Sequence, residues 1–207
     1  MGKTLRVKKP LQTRVLPSEG KHTRTLVYLH GMDATPAGCI GRWAKVMPLT
    51  VSGLRVVLPG AQWMYVDCME EDCVSWFNLA VRDNGEGGAE PASLRAATSR
   101  IIAVVRREVE RVGAANVYLG GFSMGMMMGL HVLMDARLPA LGGFVGIVGE
   151  LLDETTARLA RRCVPIRCFH AANDKHVPPA SGRKSLRRLK AKGFDINYMT
   201  IPNAGHN

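Results

Sequence analysis

The chain has 207 residues and a mass of 22.6 kDa, a length that fits one domain with its own buried core. Hydrophobic residues make up 46% and charged residues 22% of the sequence, which excludes a disordered or collagen-like chain. The 28 Lys and Arg outnumber the 17 Asp and Glu, giving a net charge of +11. We therefore expect anionic neighbours such as a phospholipid surface. An aromatic content of 6% is low for a protein that stacks nucleic-acid bases, so no nucleic-acid partner is expected.

The first 24 residues are basic. Their charged residues are Lys3, Arg6, Lys8, Lys9, Arg14, Lys21 and Arg24 on the positive side and Glu19 on the negative side. No apolar core follows, so the segment is not a secretory signal, and we expect a cytoplasmic protein. We predict a basic strand, hairpin or arm over 1–24, with a membrane-attracting role as the alternative, and a single domain over 25–207.

The pattern after residue 25 alternates between strands and helices. Short apolar runs predict strands over 26–29, 54–58, 116–119, 142–148, 165–169 and 197–201. Helices are predicted over 40–49, 124–135, 153–162 and 180–192, and a further helix is predicted to be capped by Ser93 and to end at Gly113. Strands that are apolar throughout and alternate with helices are typical of a parallel sheet covered on both faces.

The apolar stretch 117–134 is long enough to span a membrane, but several glycines interrupt it. We interpret it as a buried strand that turns sharply into a buried helix. Residues 121–125 of this stretch read Gly-Phe-Ser-Met-Gly and match the G-x-S-x-G motif. In this motif the two glycines leave room for a strained turn that exposes the serine hydroxyl. Ser123 is therefore the candidate nucleophile.

A serine nucleophile needs a base, and the base needs a carboxylate that orients it. Asp174 follows the fifth predicted strand and His206 follows the sixth, at the edge where parallel sheets place their ligands. His176 is the alternative base, but it shares a loop with Asp174 and would hardly reach both partners. The predicted oxyanion donors are the backbone N–H groups of Met124 and Met32.

The sequence resembles the acyl-protein thioesterase and lysophospholipase-like carboxylesterase family from about residue 25 to the end. The resemblance is carried, in chain order, by Leu29-His30-Gly31, Leu58-Pro59, Ser75-Trp76-Phe77-Asn78, the motif at 121–125, Asp174 with Val177-Pro178, and Gly205-His206. It implies an α/β-hydrolase fold with a mostly parallel sheet, helices on both faces and a minimal cap. It also implies a Ser-Asp-His triad, no cofactor, and substrates that are acylated proteins, lysophospholipids or small esters.

The resemblance also places Trp76 and Phe77 near the substrate pocket. The sequence departs from the family pattern in two loops. Asp33 follows Met32 directly, where the family usually has a second glycine before the aspartate, and thioethers replace the usual Gln and Gly after the nucleophile. We expect the methionines at 124 and 126–128 to be core residues. The family usually continues with a helix after its catalytic histidine, and we expect this domain to lack it. Either the sequence is truncated, or the base is held loosely and activity is low.

The five cysteines are odd in number and lack the spacing of a disulfide framework, so we predict free thiols in a reducing compartment and no metal site. Two alternatives to the esterase stay open. One is a non-catalytic hydrolase-like protein whose basic surface binds a membrane or RNA. The other is a dienelactone-type hydrolase, which would be expected to have Cys at position 123.

Overall fold

The computed structural model describes residues 12–81, 87–157 and 161–206. The strands are β1 Arg14–Leu16, β2 Glu19–Leu29, β3 Ser52–Leu58, β4 Gln62–Val66, β5 Glu71–Ser75, β6 Leu79–Val81, β7 Gly87–Ala89, β8 Val117–Phe122, β9 Gly143–Ile147, β10 Ile166–Ala171 and β11 Ile196–Ile201. The helices are α1 Pro36–Trp43, α2 Pro91–Val112, α3 Met124–Leu133 and α4 Pro179–Lys190.

Seven strands form one central sheet in the order β1-β3-β2-β8-β9-β10-β11. The short edge strand β1 is antiparallel to β3, and the other neighbours are parallel. Because parallel strands align their carboxyl ends, the loops after β2, β8, β10 and β11 meet at one edge of the sheet. This is the predicted mostly parallel α/β architecture, and that prediction is confirmed.

Helices cover both faces of the sheet. The larger core lies between the sheet and α2, α3 and α4, and it includes fully buried Leu119, Met126 and Leu186. A smaller core on the opposite face joins α1 to β2 and β3, with Tyr28 and Leu58 at its centre. Strands β4 and β5 form an antiparallel hairpin outside the sheet, which the sequence patterns did not predict. Within the described ranges, no helix is both long and apolar enough to cross a bilayer.

The division expected after residue 24 falls inside β2, which begins at Glu19. β1 pairs with β3 rather than with β2, so these two strands extend the central sheet and do not form a separate hairpin. The part of the amino-terminal segment that precedes residue 12 lies outside the described residues. The basic segment from residue 12 onward is therefore part of the sheet.

The helix predicted over 153–162 is wrong in its described part. Residues 153–157 form a turn followed by an irregular segment, and residues 158–160 lie outside the described ranges. Buried Arg161 instead donates to the backbone carbonyls of Leu133, Asp135 and Leu138. It thereby satisfies carbonyl groups at the end of α3 that the helix leaves unpaired.

Two helix starts also differ from the predictions. α2 is capped by Glu90, whose carboxylate accepts from the N–H groups of Ala92 and Ser93, so Ser93 is not the cap. α1 begins at Pro36 rather than near residue 40, with Thr35 as its cap. A cap followed by proline at the first helical position is a common helix start, and α1 follows it.

Candidate active site

Ser123 lies in the sharp turn between β8 and α3. Its backbone is left-handed, with φ 53° and ψ −123°, a strained conformation for a residue with a side chain. The flanking glycines are sterically required. A Cβ on Gly125 would lie 2.1 Å from the carbonyl oxygen of Leu29, and a Cβ on Gly121 would lie 2.3 Å from the carbonyl oxygen of Gly125. The serine is therefore placed by close backbone packing.

Ser123, His206 and Asp174 form one hydrogen-bonded line. The His206 Nε2 atom lies 3.0 Å from the Ser123 Oγ atom, and its Nδ1 atom lies 2.8 Å from the Asp174 Oδ2 atom. For the hydroxyl to donate to Nε2, the imidazole must carry its proton on Nδ1 and donate it to the carboxylate. The structure thus brings together the three residues that the sequence singled out.

The second carboxylate oxygen of Asp174 is held by its own loop. Oδ1 accepts hydrogen bonds from the backbone N–H groups of His176 and Val177, both at 2.9 Å. Burial by itself raises the pKa of Asp174, but the N–H of Val177, the imidazole of His206 and the N–H of His176 outweigh it and hold the pKa below its ordinary value. Asp174 is therefore ionised and held in place as the hydrogen-bond acceptor for the Nδ1–H group of His206.

Two further histidines lie beside this line. The His176 ring is 5.0 Å from the His206 ring, and the serine is within hydrogen-bond distance of His206 rather than of His176. His170 is fully buried, and its Nε2–H donates to the carbonyl of Val177 at 2.8 Å. It thus braces the loop that carries Asp174.

One predicted oxyanion donor follows the serine in the chain, and the other lies in the loop after β2, the strand that pairs with β8. The N–H of Met124 is at the start of α3, and Met32 follows the carboxyl end of β2. Within the described residues, neither N–H donates to a protein acceptor. The next residue, Asp33, has a left-handed φ of 53°, and its N–H donates to the carbonyl of Val74 in β5 at 2.7 Å. Met32 keeps a free N–H although the second glycine of the family loop is missing.

His30 and Trp76 anchor the loop that carries Met32. His30 Nε2 accepts the N–H of Ala61 at 3.1 Å, which leaves the Nδ1–H to donate to the carbonyl of Gly31 at 2.8 Å. The indole N–H of Trp76 donates to the His30 carbonyl at 2.7 Å. Burial lowers the pKa of His30, so its ring is neutral and holds one tautomer. His30 is therefore a structural residue.

Trp76 and Phe77 are both buried, and their place near the substrate pocket stays a prediction. Their exposed fractions are 2% and 0%, because both side chains belong to the core under the sheet. Of the methionines expected in the core, Met126 and Met128 are fully buried. Met124 is also buried, with its sulfur 3.1 Å from the Ser75 hydroxyl, which donates to it. Across the described ranges, no group of three or more His, Cys, Asp or Glu is arranged to hold a metal ion.

Comparisons with known proteins agree with this geometry. A family model described as Phospholipase/Carboxylesterase matches residues 11–207. Acyl-protein thioesterase 1 of Gibberella zeae is 25% identical, and the alignment covers 93% of this chain and 87% of that protein. Acyl-protein thioesterase 1 of Mycosarcoma maydis is 28% identical over 95% of this chain and 90% of its own length. The crystal structure of Zea mays acyl-protein thioesterase 2 superposes with a TM-score of 0.80 at 20% identity, covering 95% of this chain and 92% of that one, which shows a shared fold.

Proposed function

The chain belongs to the phospholipase/carboxylesterase family, and we propose that it is a serine hydrolase that cleaves acyl thioesters and oxygen esters through an acyl-enzyme on Ser123. The observation that carries the proposal is the hydrogen-bonded line from Ser123 through His206 to Asp174. A serine hydroxyl is a weak nucleophile until a base takes its proton, and this line supplies both the base and the group that orients it.

In the first half-reaction, the Ser123 oxygen attacks the acyl carbonyl carbon while His206 Nε2 takes the hydroxyl proton. The oxyanion that forms lies against the N–H groups of Met32 and Met124, which have no other protein acceptor among the described residues. His206 then gives its proton to the departing thiolate or alkoxide, and the acyl group stays on the serine as an ester. Ionised Asp174 stabilises the imidazolium at both steps.

In the second half-reaction, water replaces the leaving group. His206 takes a proton from the water, whose oxygen attacks the acyl-serine carbonyl. The same two N–H groups stabilise the second oxyanion, and the proton returns to the Ser123 oxygen as the free carboxylic acid leaves. The sum is one ester or thioester bond and one water converted into an acid and an alcohol or thiol.

The substrate class follows from the relatives rather than from the triad alone. Several of the matched proteins are named acyl-protein thioesterases, and one is named lysophospholipase-like protein 1, from Mus musculus. We propose that the substrates are acylated proteins or lipid esters. We propose that the protein acts in the cytoplasm at anionic membranes, where such substrates are held. The net charge of +11 supports this, because basic groups are attracted to an anionic leaflet.

Labelling with a fluorophosphonate probe tests the proposal. We expect the purified protein to be labelled and the Ser123→Ala variant not to be, with thioesterase activity on a palmitoyl-thioester peptide lost in the same variant. Ser18→Ala is the matched control, because Ser18 lies outside the site and bonds only to the nearby Gly20 carbonyl. A folded protein that is neither labelled nor active would overturn the proposal and favour a non-catalytic binding protein.

A further inference from the structure

A groove runs along the open edge of the central sheet, between α4 and β11. It encloses about 300 Å³. Arg183, Arg187 and Lys190 of α4 form one wall, and residues of β11 including Tyr198 and Thr200 form the other. We call this feature the α4–β11 groove. None of Ser123, Asp174 and His206 lines it, so it is separate from the candidate active site.

The three cations of the groove have no anionic partner among the described residues, and Arg183 lies over the Tyr198 ring, 5.8 Å from its centroid. Of the basic residues on α4, Arg188 pairs with Asp153 at 3.1 Å. Within the described residues, no carboxylate lies within ion-pair distance of Arg183, Arg187 or Lys190. Three positive charges therefore face one concave surface without neutralisation. Such a surface favours an anionic ligand.

The opposite wall is the edge of a sheet. β11 is the last strand in the sheet order, and it pairs along its whole length with β10 on one side. The outer backbone N–H and C=O groups of an edge strand can pair with a further extended chain. This mode of binding uses backbone hydrogen bonds for affinity and side-chain contacts for specificity.

The spacing of the cations matches an extended chain. Arg183 and Arg187 are four residues apart and Arg187 and Lys190 three, which puts them about 6 and about 4.5 Å apart along the helix axis. Side chains on one face of a strand repeat about every 6.7 Å. The flexible basic side chains can absorb the remaining difference, so each cation can reach a carboxylate on every second residue.

We propose that the α4–β11 groove binds an acidic peptide segment of a partner protein in extended form, with carboxylates at alternating positions. The peptide adds a strand beside β11 and its carboxylates pair with Arg183, Arg187 and Lys190. A concave groove with a free strand edge fits a linear peptide better than a flat lipid surface, which favours peptide over membrane as the occupant. The binding needs no catalysis, so it can be measured on the Ser123→Ala variant.

Fluorescence anisotropy with a labelled peptide of four Thr-Glu repeats tests the proposal. We expect saturable binding that weakens as salt is raised. A peptide of the same composition with its four Glu in one block should bind more weakly, because only every second carboxylate faces the cations. Methylating alternate backbone nitrogens of the Thr-Glu peptide, on the edge that faces β11, should also weaken binding, because it removes donors to the strand edge.

The groove variant is the triple substitution Arg183→Gln, Arg187→Gln and Lys190→Gln. We expect it to bind the Thr-Glu peptide about tenfold more weakly, as expected for the loss of three exposed ion pairs. The control variant removes three exposed charges elsewhere, through Arg24→Gln, Lys45→Gln and Arg107→Gln, and should bind as the parent does. Circular dichroism and thermal unfolding establish that both triple variants are folded.

Three results would overturn the proposal. The first is an absence of peptide binding at low salt, and the second is equal weakening by the groove and control variants, which would mean unspecific attraction. The third is a groove variant that loses binding to phosphatidylserine vesicles while peptide binding is unchanged, which would assign the surface to a membrane. None of these results bears on labelling of Ser123, so the two proposals fail separately.

Discussion

The turn that carries Ser123 and the loop that carries His206 are built in different ways. Around the serine, a Cβ on Gly125 would collide with the backbone at 2.1 Å, whereas a Cβ on Gly205 next to His206 would meet nothing within 4 Å. The histidine loop is tied to the loop after β10 by the N–H of Asn173, which donates to the carbonyl of Ala204 at 3.0 Å. Packing thus fixes Ser123, the proposed nucleophile, and hydrogen bonds fix His206, the proposed base. Substitutions in the two regions should therefore damage different properties.

The largest effect is expected from Asp174→Asn, which changes the hydrogen bonds that hold His206. An amide can keep its oxygen on the N–H groups of His176 and Val177, but its NH₂ group then faces His206 Nδ1 and forces the wrong tautomer. We expect kcat to fall about 10⁴-fold, as for the equivalent change in serine proteases. Steady-state kinetics with a thioester substrate measures the loss, and circular dichroism should show an unchanged fold. A loss smaller than tenfold would contradict the role assigned to Asp174.

Gly125→Ala disrupts the closely packed turn that carries Ser123. The new methyl group overlaps the carbonyl oxygen of Leu29, so β2 or α3 must shift, and we expect the free energy of unfolding to fall by about 3 kcal/mol or more. The same substitution at Gly205, whose added Cβ would have open space, is the matched control and should change stability by less than about 0.5 kcal/mol. Urea unfolding of both variants measures the difference. Equal stability losses would show that the two regions are not packed differently.

Phe122→Ala sharpens the comparison where the two regions touch. The Phe122 ring packs edge-on against the His206 ring, with centroids 5.2 Å apart. Phe122 directly precedes Ser123, so this contact joins the serine turn to His206. We expect kcat to fall about fivefold while KM changes little, since such ring contacts contribute about 1 kcal/mol. Phe122→Tyr keeps the ring and should retain most of the activity. A larger effect on KM than on kcat would point to substrate contact instead.

The smallest effect concerns acid stability. The folded state holds the pKa of Asp174 below its ordinary value of 3.8, so ionised Asp174 stabilises the fold above that value, and this contribution disappears as the pH falls through the folded pKa. Asp174→Asn lacks the contribution. The difference in unfolding free energy between parent and variant should be constant above about pH 5 and shrink in acid. Urea unfolding across this range measures it, and a difference that does not shrink would contradict the lowered pKa.

The sequence predicted the features that depend on short segments. The glycine-flanked serine motif between an apolar strand and an apolar helix is local, and β8 and α3 meet at Ser123 as predicted. The carboxyl ends of β10 and β11 likewise bring Asp174 and His206 to the same edge, because parallel strands share it. Their chemical roles stay predictions until the kinetics are measured.

Long-range contacts account for what the sequence patterns missed. Residues 153–157 are not helical, and Arg161 bonds to carbonyls that follow α3. Trp76 is buried, and its indole N–H donates to the His30 carbonyl, a contact that no short sequence pattern indicates. The sequence predicted a helix over 180–192, but the strand edge opposite its basic residues is visible only in the folded chain.

The β4–β5 hairpin holds none of Ser123, Asp174 and His206, yet it positions Met32, the proposed oxyanion donor. Its Val74 carbonyl accepts the N–H of Asp33, and its apolar side chains Met64 and Cys73 pack against Met32. A substitution in this hairpin is therefore expected to change the turnover rate in addition to the outer surface that the hairpin forms. A substitution that reshapes the outer face of the hairpin is expected to keep the catalytic rate only where a compensating change is made in the loop after β2.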